Sequence, residues 1–150
     1  MSTAETITPP VESDTRLGFT KAMITDAGRI EASALSEPVI ERVRQMVLDW
    51  LGVTIAGARQ PSATAIHRFC AAEGGKPVAG VIGTAHRFTA RQAALAMGDA
   101  SHALDYDDMG FGGHPAVVIM PAVFALGEQL GANGMQSLEA IVRACEVMHR

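Results

Sequence analysis

Across residues 36–58, Val39, Ile40, Val43, Met46, Val47, Trp50, Leu51, Thr54, Ile55 and Ala58 recur at intervals of three and four. An α-helix gathers such positions on one side, whereas a strand would scatter them over both. Ser36 stands at the N-cap, Glu37 and Pro38 suit a first turn, and Pro61 ends the pattern. Gly52 and Gly57 weaken the helix, which makes sense where another backbone comes close. The same spacing returns in residues 61–74, with Ala65, Ile66, Phe69 and Cys70 as the apolar side. Thr89 and Gln92 form a capping box opening a helix through Ala93, Leu95, Ala96, Met97, Ala100 and Leu104. A fourth pattern starts with Pro115 at a helix N1 position, is kinked by Pro121 and stops at Gly131. After a G-A-N-G turn, Leu138, Ile141, Val142, Cys145 and Met148 mark a last helix. That helix meets no terminating residue before Arg150, so the chain is expected to stop in mid-element.

Residues 16–35 admit a short helix interrupted near Gly28, and residues 76–83 (K-P-V-A-G-V-I-G) read as extended or loop. The expected fold is all-α: a bundle-like portion of a larger helical domain, with at most one short extended segment near residues 77–83. Residues 1–15, polar with a Pro-Pro pair, read as a disordered tail ahead of one helical domain over residues 16–150.

Composition sharpens this. Apolar residues make up 48% of the chain, with 15 glycines besides, while charged residues are only 19%. Soluble domains average about 25% charged. One small domain of 150 residues does not readily hide so much apolar surface, which points to an oligomer or a piece of a larger core. The net charge of −4, with no basic run, argues against nucleic acid. The first ten residues carry an acid and no apolar core, unlike a signal peptide. The longest apolar stretch, residues 115–126, is too short for a bilayer. Cys70 and Cys145 fit neither a metal spacing nor a disulfide framework and read as buried thiols in a reducing compartment. The expectation is a soluble cytoplasmic protein.

One stretch is not explained by packing. Residues 104–115 read L-D-Y-D-D-M-G-F-G-G-H-P. A calcium loop fails, because Met109 and Ala116 would fall at the fifth and twelfth ligand positions. Magnesium–diphosphate chemistry could use Asp105, Asp107 and Asp108, but no Lys or Arg lies between Arg91 and Arg143 to hold phosphates. A plain solvated loop, with His114 capping the next helix, is a third reading. The fourth is a metal-free acid–base site. The helix start after His114 favours a substrate carboxylate, His114 or a neighbouring Asp moves a proton, and His102 shares a face with Asp105.

Three passages resemble the MmgE/PrpD family, which includes 2-methylcitrate dehydratase and cis-aconitate decarboxylase. They are V-L-D-W-L-G-V-T-I-A-G at 47–57, A-L-A-M-G-D-A-S-H-A-L-D-Y-D-D with G-H-P-A-V-V-I-M-P-A within 94–122, and G-A-N-G-M-Q-S-L-E-A-I-V-R-A-C-E-V at 131–147. The middle passage is the specific one. The resemblance implies the N-terminal portion of a cofactor-independent, homodimeric lyase, a dehydratase or decarboxylase acting on small polycarboxylates. It implies catalytic roles for Asp105 and His114; His102, Asp108 and Met109 nearby are expected to bind substrate, and no metal is expected. Family members often carry Thr where this chain has Met109, which removes a hydroxyl that could bind substrate, so the specificity of known members does not carry over. It also implies a catalytic His and Lys beyond Arg150, so that residues 1–150 alone would be inactive. The rival expectation is a non-catalytic helical fragment or split subunit that packs with a partner chain or itself.

Overall fold

The computed structural model describes residues 15–110 and 112–149. Apart from Thr15, the expected tail lies outside the described residues, as does Arg150. The order of elements is α1 (Thr15–Gly28), a 3-10 turn at Ala32–Ala34, α2 (Glu37–Gly57), α3 (Pro61–Glu73), β1 (Ala79–Gly80), β2 (Arg87–Phe88), α4 (Ala90–His102), α5 (Pro115–Leu130) and α6 (Gly134–His149). Among the described residues the fold is all-α apart from one small hairpin. The extended segment anticipated near 77–83 is β1, and its antiparallel partner β2, pairing Ala79 with Phe88, lies outside that window.

α4 is the centre of the bundle and packs against α2, α3 and α5. Its buried face is Ala93, Ala96, Met97 and Ala100, small enough for neighbouring helices to approach closely. α2 uses this at Gly57, where an added Cβ would lie 1.8 Å from the Ala100 carbonyl oxygen. Gly52 faces open space, so the close approach expected at both glycines occurs at one. The capping box at Thr89 has both of its bonds, and the Gln92 amide also donates to the Gly74 carbonyl. α4 is thereby fixed to the end of α3 at its first turn.

Trp50 is fully buried and sits 5.0 Å from the Phe124 ring of α5. Its indole N–H has no partner. Burying such a ring is worth roughly 4–6 kcal/mol at 25 cal/mol/Å². An unpaired N–H costs only about 1–3 kcal/mol, so the ring stays inside.

Several expectations need correction. Ser36 is the α2 N-cap, but its hydroxyl makes no capping bond. α2 ends at Gly57, short of Pro61, which opens α3 as expected. The buried side of α3 is Ala63, His67 and Cys70; Ala65 and Phe69 are exposed. Leu95 is exposed, and Cys145 is half-buried while Cys70 is fully buried. α5 continues past Pro121 to Leu130 and, as expected, closes on a left-handed Gly131. Asn133 and Gln136 then exchange backbone and side-chain hydrogen bonds at the start of α6, a second capping box inside what reads only as a turn.

Charged residues latch the periphery. Arg143 of α6 donates twice to the Ile30 carbonyl, and Glu139 accepts from the Ala32 amide at 2.7 Å. Glu128 of α5 accepts from the Gly80 amide and pairs with Arg87 at 2.7 Å, docking the hairpin. The Gly80 bond, then Arg87, holds the Glu128 carboxyl below its ordinary value. Among the described residues, no helix is long and apolar enough to cross a membrane.

Candidate active site in the acidic loop

The acidic loop joins the C-terminus of α4 to the N-terminus of α5, so it inherits two helix ends. α4 is closed by the Asp105 amide, which donates to the His102 carbonyl at 3.0 Å. Asp105 takes φ 54°, and among the described residues no other non-glycine has positive φ. Aspartate tolerates this conformation better than most residues, yet it still costs on the order of 1 kcal/mol. α5 begins at Pro115, and the Asp108 carboxylate accepts from the Ala116 amide at 3.0 Å. Gly110 and Gly113 bond reciprocally between these ends and return the chain to His114.

Asp107 is the residue these ends enclose. Its side chain is fully buried. A buried carboxylate left unpaired costs several kcal/mol, so it must find positive or donating groups. His102 Nδ1 lies 3.0 and 3.2 Å from its two oxygens. His114 Nδ1 lies 2.8 Å from Oδ2, an ion-pair contact without hydrogen-bond alignment; this nitrogen is buried and has no other partner. One carboxylate therefore gathers two imidazoles, whose rings meet edge-on at 4.8 Å. With both Nδ1 atoms engaged, chemistry falls to the Nε2 atoms. His114 Nε2 faces Asp105 Oδ1 at 4.0 Å.

The electrostatics follow from these contacts. The hydrogen bond that His102 donates to the Asp107 carboxylate pushes its imidazole above its ordinary value, against a smaller opposing effect of burial. Burial likewise raises the Asp108 carboxyl, and its bond from Ala116 pulls the other way.

The expected residues therefore have uneven fates. Asp105, His102 and His114 come together. His102 shares its contact with Asp107 rather than with Asp105, contrary to the expected face. Asp108 turns toward α5 and occupies the anion position at that helix start, the place anticipated for a substrate carboxylate. Met109 is 83% exposed. Asp107, at the centre of the cluster, was not singled out from its neighbours. Nothing in the local sequence distinguishes it, because no helical or strand period runs through residues 105–109. The three aspartates do not converge on one ion as magnesium–diphosphate chemistry requires. His102, Asp105, Asp107 and His114 do bring ligand atoms within 4.8 Å of one another, a mixed set better suited to a transition metal than to magnesium.

The family model described as MmgE/PrpD N-terminal domain matches residues 23–150. The chain belongs to the MmgE/PrpD family. The match covers every residue of the acidic loop, the helices that frame it and the hairpin. A comparison with curated proteins finds no match. In this MmgE/PrpD chain the acidic loop thus holds a buried aspartate, two histidines in contact with it and an exposed aspartate beside His114.

Proposed function

We propose that the acidic loop is part of the active site of a cofactor-independent lyase, a dehydratase or decarboxylase acting on small polycarboxylates. The observation carrying this reading is the buried Asp107, hydrogen-bonded to His102 Nδ1 and 2.8 Å from His114 Nδ1. Such a carboxylate orients an imidazole and supports its charge, as in acid–base sites generally. His114 then exchanges a proton through Nε2 beside the exposed Asp105. In a dehydration, Asp105 accepts the proton α to a substrate carboxylate, while His114 delivers one to the departing hydroxyl. The half-exposed His102 offers its Nε2 to a substrate carboxylate. Met109, exposed in the same loop, takes part in shaping specificity. The free thiols Cys70 and Cys145 support a reducing, cytoplasmic setting.

The test is turnover of 2-methylcitrate or cis-aconitate by a longer family member bearing the equivalent of Asp105→Asn or His114→Ala. Loss of a proton-transfer group costs about 100-fold or more. Unchanged rates would overturn the assignment.

A second reading is favoured by an apolar cleft of about 800 Å³ between α2, α5 and α6, lined by Val47, Leu51, Phe124 and Leu138. Here the chain is a helical subunit that packs with a second copy of itself or with a completing segment.

A further inference from the structure

A second polar centre lies away from the acidic loop, where the end of α2, one face of α3 and the tip of the hairpin meet. Its wall is set by Gly83, at φ 79°, where an added Cβ would come within 2.8 Å of the Ala58 Cβ. Only glycine lets the hairpin tip press so closely on the end of α2. The result is a cleft of about 450 Å³ lined by Arg59, Thr64, His67, Arg68 and His86 among others. That volume is within the range of small-ligand sites.

His67 is 7% exposed, and its Nε2 is buried without a hydrogen-bond partner. Its ring stands 5.0 Å from that of His86, which in turn stacks on Phe88. Arg59 and Arg68 are exposed, and among the described residues neither makes a hydrogen bond or an ion pair. The cleft therefore collects two guanidiniums and two imidazoles and has no carboxylate in its lining. The nearest compensation for His67 comes from Asp99 of α4, which is outranked by burial and by the neighbouring His86; together these hold the imidazole below its ordinary value. A positive cleft with an unpartnered buried ring nitrogen, which donates to an anion in the Nε2–H tautomer, is the electrostatic complement of an oxyanion, and the two guanidiniums exclude a metal cation.

We propose that this cleft binds a small oxyanion, a phosphate or carboxylate group, against His67 Nε2 and His86, with Arg59 and Arg68 closing over it. The site uses none of the acidic-loop residues and stands or falls independently of the lyase reading.

The experiment is a titration of the full chain with inorganic phosphate and, separately, with succinate, at constant ionic strength in chloride. The imidazole resonances of all five histidines are followed by NMR. Saturable movement of His67 and His86 with either anion supports the site, and which anion saturates it separates a phosphate from a carboxylate ligand. Arg59→Gln with Arg68→Gln, both at exposed positions, should weaken that binding at least tenfold while the helical circular dichroism is retained. Linear, unsaturated shifts, shifts confined to His102 and His114, or equal affinity in the double variant would overturn the proposal.

Discussion

Asp105 carries a cost the fold does not require. A left-handed residue at a helix end is normally glycine or asparagine, because a Cβ is penalised there. Here an aspartate holds that place with φ 54° and its carboxylate 4.0 Å from His114. Strain at a site residue is a reason to expect function. Asp105→Gly should therefore leave stability unchanged or raise it by up to about 1 kcal/mol in urea denaturation. In a longer family member the same change should abolish turnover. A loss of stability would mean the side chain is structural. Asp107 makes the opposite case. Its bond raises the folded-state value of His102, so the stabilisation is complete below about pH 6.5 and fades as pH rises through the raised value. Asp107→Asn should accordingly lower the melting temperature more near pH 6 than near pH 9. An equal loss at both would show that the carboxylate acts without the imidazole charge.

Helices were legible at the level of elements because their signals are local. The spacing of Val43, Trp50 and Thr54, the Thr89–Gln92 box and the Pro115 to Gly131 bracket each depend on residues a few positions apart. What escaped was information that exists only between elements. α3 buries His67 and exposes Phe69 because α4 and the hairpin lie on that side, and periodicity alone favoured the more apolar face. β2 is two residues long, too short to announce itself. In the acidic loop the chemistry-bearing types were evident. Which aspartate turned inward depended on where two helix ends converge. The glycines of α2 test this distinction. Gly52→Ala meets nothing within 4 Å and should stabilise by about 1 kcal/mol through helix propensity. Gly57→Ala would set its Cβ against the Ala100 carbonyl, which cannot rotate away as a side chain could. Moving α2 off α4 should cost more than about 3 kcal/mol, read from the denaturation midpoint. Similar effects at the two positions would refute the close packing of α2 on α4.

For the whole molecule the balance of apolar surface is uneven. The inner core closes around Trp50, Met97 and Met120. The outer faces of α2 and α5 nevertheless expose Leu48, Ile55, Val118, Leu126 and Leu130. Scattered exposed apolar residues are ordinary; one that lines an apolar cleft marks a candidate association surface. Leu48 lines that cleft and is 72% exposed, so it contributes little to the fold of one chain while standing where a second copy would pack. Sedimentation velocity should then show concentration-dependent association. Leu48→Glu should shift the protein toward monomer with an unchanged urea midpoint, because a charge desolvated in the contact opposes association and one left in water costs the monomer almost nothing. A wild-type chain that stays monomeric at high concentration and binds no hydrophobic dye would rule out the self-packing reading and leave the acid–base reading untouched. Association that survives Leu48→Glu would move the contact from the α2 cleft to another face, with the exposed Val118 on α5 the next position to charge.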